Sequence, residues 1–202
     1  MKIIGITGGI GSGKSLIAKI LENLQYPVYI ADLASHRIVH TKLEIIDKLT
    51  DLLGKNIYNN GILNKKLLAN SIFSNENLRK SINNIIHPAV MADFKEYCEE
   101  QNSPLVFMES AILFETNLNA FVDKTILVTA PIDLRIKRLR QRDNLSEAEI
   151  RSRIDSQMSD EEKIKLADYI IINDERQAVL PQIQKILTLF ISISSQSHHF
   201  QK

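Results

Sequence analysis

Tryptophan is absent, and cysteine occurs once, at Cys98 within "FKEYCEE". No intramolecular disulfide is therefore available, and no zinc-type Cys/His spacing exists; this suits a reducing compartment, with Cys98 reading as a packed helix thiol. An excess of one charge is also missing. Lys and Arg number 25 against 24 Asp and Glu, a net charge of +1, which excludes a whole-surface attraction to nucleic acid or to an anionic membrane and leaves any basic site local. Long hydrophobic runs are missing too. The first apolar run is broken at Gly5 and again by a glycine-rich stretch, against a signal peptide. The later run "ILTLFISI" falls far short of the roughly 20 residues that span a bilayer. The expectation is a cytoplasmic protein with no nucleic-acid or membrane partner and no obligate protein partner, in which the sequon Asn144-Leu145-Ser146 has no meaning. Repeats are absent, and only the end, "SSQSHHFQK", reads as a loose tail (196–202), with His198 and His199 on a fraying terminus.

What is present is an apolar fraction of 44% in 202 residues, enough for one domain of ordinary size with inserts. Five short β-branched runs, "KIIGIT", "PVYIA", "PLVFM", "KTILVTA" and "DYIIIN", alternate with helical patterns. Several are apolar on both faces, which predicts a parallel sheet covered on both sides. Between the second and third runs lie "KLEIIDKLTDLLG", "NKKLLANSIF", "NLRKSINNII" and "PAVMADFKEYCEE", all with apolar residues at three- and four-residue steps. This is a helical insertion with almost no strand character. His87-Pro88 reads there as a helix break with a capping histidine. A second helical stretch, Pro131 to about Ala167, is charged and poor in bulky apolar residues, the composition of a lightly packed lid.

Gly8 to Ser15, "GGIGSGKS", satisfies G-x-x-x-x-G-K-[ST] between a strand and a helix, the context in which that motif cradles a nucleoside triphosphate. Gly9, Ile10, Gly11, Ser12 and Gly13 supply a backbone whose N–H groups can approach phosphate oxygens. Lys14 reaches the β- and γ-phosphates, and the Ser15 hydroxyl is placed to ligate Mg²⁺. A guanine-nucleotide switch is disfavoured. Asp51-Leu52-Leu53-Gly54 fits DxxG by letters but sits in an amphipathic helix, and "NKKL" lacks the aspartate that reads guanine.

A kinase further needs a group for the acceptor hydroxyl and cations for the transferring phosphoryl. Asp32 follows the second strand at the carboxyl edge of the sheet, where it can take the acceptor's proton, help hold Mg²⁺, or simply cap a helix. Glu109 ends the third strand, where a carboxylate holds the metal through water. Arg135, Arg138 and Arg142 fall along one helix face, suited to phosphate oxygens and an adenine plane, or to solvent.

With "IGITGGIGSGKS", Ala31-Asp32, "NNGILNKKLLANSIF", "IIHP" at 85–88, "ILFE" at 112–115, Arg142-Asp143, Gln157 and "ADYIIIN" at 167–173 in order, the chain resembles the dephospho-coenzyme A kinase family over residues 1–190. The resemblance implies ATP-dependent phosphorylation of the ribose 3′-hydroxyl of dephospho-CoA, with ATP and dephospho-CoA as partners and Mg²⁺ as cofactor. It implies a P-loop NTPase-type three-layer α/β sandwich with a five-stranded parallel sheet in the order 2-3-1-4-5. The core would comprise 1–35, 103–138 and 167–195, with a CoA-binding insertion at 36–102 and a lid at 139–166 that includes Lys163. Asp32 would be the catalytic base, assisted by Lys14 and Arg142. Arg138, Arg142 and Asn173 would join the glycine loop at ATP, and His87 and Glu115 would join Asp32 at the acceptor. Four positions depart from the family pattern: Ile30 for the first aspartate of D-A-D, Glu109 for aspartate, Ala111 for proline, and Asp160 for an arginine expected to touch phosphate. The rival readings are a nucleoside or nucleotide kinase, for which so long an insertion is excessive, and a nucleotide-binding regulatory module.

Overall fold

The computed structural model describes residues 1–143 and 145–196, with backbone only at 72–74 and 192–196. Gln196, expected in the tail, closes the last helix, and 197–202, with His198 and His199, lie outside the described residues.

The chain opens with β1 (Lys2–Thr7), α1 (Lys14–Asn23) and β2 (Val28–Ile30). It continues through α2 (Ala31–Thr41), α3 (Leu43–Leu53), a 3-10 turn at Lys55–Ile57, β3 (Tyr58–Asn59), β4 (Ile62–Leu63), α4 (Lys65–Ser74) and α5 (Glu76–Glu99). Then come β5 (Leu105–Glu109), a 3-10 turn at Leu118–Phe121, β6 (Lys124–Thr129), α6 (Ile132–Asp143), α7 (Glu147–Asp155), α8 (Asp160–Leu166), β7 (Tyr169–Ile172) and α9 (Val179–Gln196). The sheet runs β2-β5-β1-β6-β7, with β1 parallel to β5 and β6, and β6 parallel to β7. With the small β3-β4 hairpin set aside, this is the expected 2-3-1-4-5.

The chain divides into two compact units: Met1–Val28 with the chain from Ser103 onward, and Tyr29–Asn102. In the first, β1 and β5 are buried along almost their whole length, as their unbroken apolar runs require. Ile17 and Leu21 of α1 pack with Ile183 and Leu187 of α9 and with Phe107 and Ile126 of the sheet, leaving a gap of only about 10 Å³.

In the second unit α2, α3 and α4 pack on α5, around Ile38, Leu49, Ile82, Ile86, Val90 and Phe94, all nearly or fully buried. Two sequence readings need correction here. The helix does not break at His87-Pro88: α5 continues through Pro88 for 24 residues. A proline costs an interior helix one hydrogen bond, yet Ile82 and Ile86 before it and Val90 and Phe94 after it are buried on one stripe, and that burial holds the two halves in line. The insertion also contains a hairpin. Asn60 (φ 48°) and Gly61 (φ 76°) make the tight turn between Tyr58–Asn59 and Ile62–Leu63, a conformation that an Asn-Gly pair favours.

Candidate active site

The glycine loop follows β1 and opens α1 through Gly13, whose φ of 100° places it in the left-handed region. The Gly13 carbonyl accepts from Leu16 N at 3.0 Å and Ile17 N at 3.3 Å, so the helix begins on a residue that any Cβ would strain. Lys14, 8% exposed, folds back over the loop and donates from Nζ to the carbonyls of Gly8 at 2.9 Å and Gly9 at 3.4 Å. Ser15 is exposed in the first turn.

Side chains from the far end of the same unit brace this loop. Asn173 follows β7, is buried, and donates Nδ2 to the Ser12 carbonyl at 2.9 Å. Arg138 of α6 donates NH1 to the carbonyls of Gly11 and Ser12, both at 3.4 Å, and NH2 to the Asn173 carbonyl and Glu175 Oε1, both at 3.1 Å. Arg135 donates Nε to the Ile10 carbonyl at 2.8 Å, and a Cβ on Gly9 would overlap its guanidinium. Among the described residues, two hydroxyls at the loop, Thr7 Oγ1 and Ser12 Oγ, are buried without a hydrogen-bond partner. Such orphans cost stability and mark a place where polar atoms are wanted.

The three arginines expected on one face therefore part company. Arg135 and Arg138 reach the loop, whereas Arg142, near the end of α6, is exposed and forks onto Asp143 with bonds of 2.7 and 2.8 Å. That guanidinium holds the Asp143 carboxyl below the usual carboxylate range. Glu109 is 4% exposed and ends β5 in register with Ile6, two residues before the loop. Glu115, expected at the acceptor, has its Oε1 2.8 Å from Nζ of the fully buried Lys163 and accepts from Met158 N at 3.1 Å. In the other unit Asp32 is exposed in the first turn of α2, and His87 is half-buried in α5, where burial lowers its basicity. Tyr29 of the same unit donates its hydroxyl to Asp93 Oδ2 at 2.8 Å, and burial raises its pKa.

Sequence reasoning missed Thr129, Glu175 and the partner of Asp160. Position 160 looked like a lost phosphate contact, yet Asp160 pairs with Arg135 at 3.2 Å and accepts from Thr129 Oγ1 at 2.9 Å. A local signal existed, because Ser159-x-x-Glu162 is a capping box that starts α8 at Asp160. A cleft of about 760 Å³ beside it is lined by Asp155, Asp160, Glu161, Glu162 and Asp174 against Arg135. That sign of charge repels a triphosphate.

A parallel sheet with a glycine loop, a buried lysine and a helix N-terminus at its edge defines a P-loop kinase-type phosphotransferase fold. A Thermus thermophilus crystal structure superposes on it with a TM-score of 0.82 at 33% identity, covering 95% of this chain and 96% of that one. A dephospho-CoA kinase from Campylobacter jejuni does so with a TM-score of 0.62 at 29% identity, covering 96% and 98%. Residues 2–178 match the dephospho-CoA kinase family, and the dephospho-CoA kinase of Bacteroides fragilis (strain YCH46) is 43% identical over 185 residues, 91% of this chain and 90% of its own. The chain belongs to the dephospho-CoA kinase family. It is an ATP-dependent kinase that phosphorylates dephospho-CoA in coenzyme A biosynthesis.

Proposed function

We propose that ATP seats its phosphates on the glycine loop from Gly9 to Gly13, with Lys14 and Ser15, and its adenosine against Arg138 and Asn173. The observation that carries this reading is the braced loop with the orphaned Thr7 and Ser12 hydroxyls beside it. On binding, Lys14 exchanges the Gly8 and Gly9 carbonyls for phosphate oxygens, a charge-assisted contact. Arg142 likewise exchanges Asp143 for phosphate as the lid of segment 139–166 closes and excludes water, its part ahead of Gln157 moving while Gln157 to Lys163 stays tied to the core.

Asp32 is the base: it takes the proton of the ribose 3′-hydroxyl as that oxygen attacks the γ-phosphorus. The bond from phosphorus to the β–γ bridging oxygen breaks, and ADP leaves with the electron pair. His87 and Glu115 belong to the acceptor side, and residues 36–102 hold the rest of dephospho-CoA. The all-oxygen donor set of Ser15 and Glu109 fits Mg²⁺, with Glu109 reaching it through water. When bound, the ion supplies charge neutralisation at the phosphates; Ser15 and Glu109 hold it there.

The enzyme works in the cytoplasm without nucleic acid, membrane or an obligate protein partner. Among the described residues no helix is long and apolar enough to cross a membrane. Phosphoryl-transfer assays on Asp32→Asn, Lys14→Ala, Arg142→Ala and Glu109→Gln test the roles, with Mg²⁺ titrated in each. A Glu109→Gln enzyme with unchanged Mg²⁺ dependence removes Glu109 from the metal site.

A further inference from the structure

Ile10, at the middle of the glycine loop, is held through both of its backbone polar groups by side chains from far along the chain. Its N–H donates to Gln157 Oε1 at 2.8 Å and its carbonyl accepts from Arg135 Nε at 2.8 Å. Arg135 is fixed in turn. Its NH1 lies 3.2 Å from Asp160 Oδ1, with the two side chains 6% and 17% exposed, and Asp160 Oδ2 accepts from the Thr129 hydroxyl at 2.9 Å. The segment that carries Gln157 and Asp160 is itself tied down. Met158 N donates to Glu115, and the fully buried Lys163 donates to Ala111 O at 3.2 Å and pairs with Glu115. A rigid element thus reaches the most adaptable part of the site.

We infer that Gln157 and Asp160 are positioning residues for the phosphate donor, Gln157 acting directly and Asp160 through Arg135. The inference rests on the glycine loop being the ATP site. Glycines flank Ile10 on both sides, and Gly11 has φ 80°, so no side chain of the loop dictates which way its peptides face. Clamping the two peptide planes that meet at Ile10 from outside removes that freedom before ATP arrives, and the ordering cost is not charged against binding. Because Gln157 occupies the Ile10 N–H, that group is not among those the loop offers to phosphate. Asp160 keeps Arg135 aimed at the loop. Without its carboxylate the buried guanidinium loses its charge partner, and the Ile10 carbonyl loses a fixed donor.

The test varies ATP and dephospho-CoA separately in steady-state assays of Gln157→Ala, Asp160→Ala and Asp160→Asn. Losing one hydrogen bond of this kind corresponds to about a tenfold change. The expected result is a KM for ATP raised about tenfold in each alanine variant, a KM for dephospho-CoA within about twofold of the parent, and Asp160→Asn in between because one acceptor oxygen remains. A KM for ATP unchanged in both alanine variants, or both KM values moving together, overturns the inference. Should the alanine variants not fold, Thr129→Val deletes only the hydroxyl that Asp160 accepts; a rise in the KM for ATP supports the inference, and an unchanged one overturns it. Lys14→Ala separates the two readings. If its rate is normal, the ATP-site assignment itself fails, whereas a crippled Lys14→Ala beside normal Gln157 and Asp160 variants overturns this inference alone.

Discussion

Asn173 Nδ2 lies 2.9 Å from the Ser12 carbonyl, so the residue that follows the last strand of the sheet closes the glycine loop that follows the first. A Cβ on Gly13 would collide with that same amide, and Arg138 bridges the pair by donating to both carbonyls. Three parts of the chain that are remote in sequence thus fix one turn of backbone.

Asn173→Ala removes a buried donor and leaves the Ser12 carbonyl with only the long contact from Arg138. It is expected to cost about 1–3 kcal/mol of unfolding free energy and to raise the KM for ATP. Glu175→Gln touches the exposed side of the same arginine, where the Glu175 side chain is 60% exposed, and should stay within about 0.5 kcal/mol. Urea denaturation of both variants checks the contrast; equal effects would contradict the assigned roles.

Gly13→Ala combines a left-handed φ of 100° with the Asn173 overlap. It should destabilise by more than the roughly 1 kcal/mol of an ordinary non-glycine residue in that region and abolish turnover. Thermal unfolding alongside an activity assay decides it. A stable, active Gly13→Ala enzyme would mean that the loop tolerates another backbone path.

Lys163 is fully buried and Glu115 is its charge partner. Glu115→Ala leaves an uncompensated ammonium in the interior and is expected to cost about 3–5 kcal/mol. Adding Lys163→Met to that variant replaces the stranded charge with apolar volume and should recover a good part of the loss. A double-mutant cycle by chemical denaturation measures the coupling, and additive losses would show that the pair is not coupled.

Asp32→Asn should lower kcat by roughly 10² to 10⁴ if the carboxylate is the general base, while the unfolding midpoint hardly moves, since Asp32 is exposed. A near-normal rate with a lowered midpoint would demote Asp32 to a helix-terminus residue in α2.

Burial holds the His87 imidazole less basic than the usual value near 6.5. The unfolded chain therefore binds a proton at a higher pH than the folded one, and stability falls as pH drops through the window below about 6.5. His87→Gln has no such proton to take up, so its stability should decline less between about pH 7 and 5. Parallel stability profiles for the two proteins would refute the assignment.

The sequence carried most of the first unit's architecture in patterns that are local. β1, β5 and β6 lie within a residue of their apolar runs because strands covered on both faces have no polar side to blur the signal. The phosphate loop was legible because its chemistry depends on backbone freedom and a fixed spacing from Gly8 to Ser15. Pro88 misled because the cost of a proline is local, whereas the burial of Ile82, Ile86, Val90 and Phe94 that outweighs it belongs to the packed unit.

Only the tertiary structure decided what the charged side chains do. The three-four spacing placed Arg135, Arg138 and Arg142 alike, yet one is 5% exposed and locked on Ile10, one bridges the loop to Asn173, and one turns to its neighbour Asp143. Asp160 looked like a lost contact and proved to be the partner of Arg135; Glu115 proved to be the partner of a buried lysine. A backbone motif is specified by the residues that form it. The role of a long charged side chain is set by whichever opposite charge or carbonyl the fold brings within about 3 Å, and those partners lie 25 to 125 residues away for Arg135 alone.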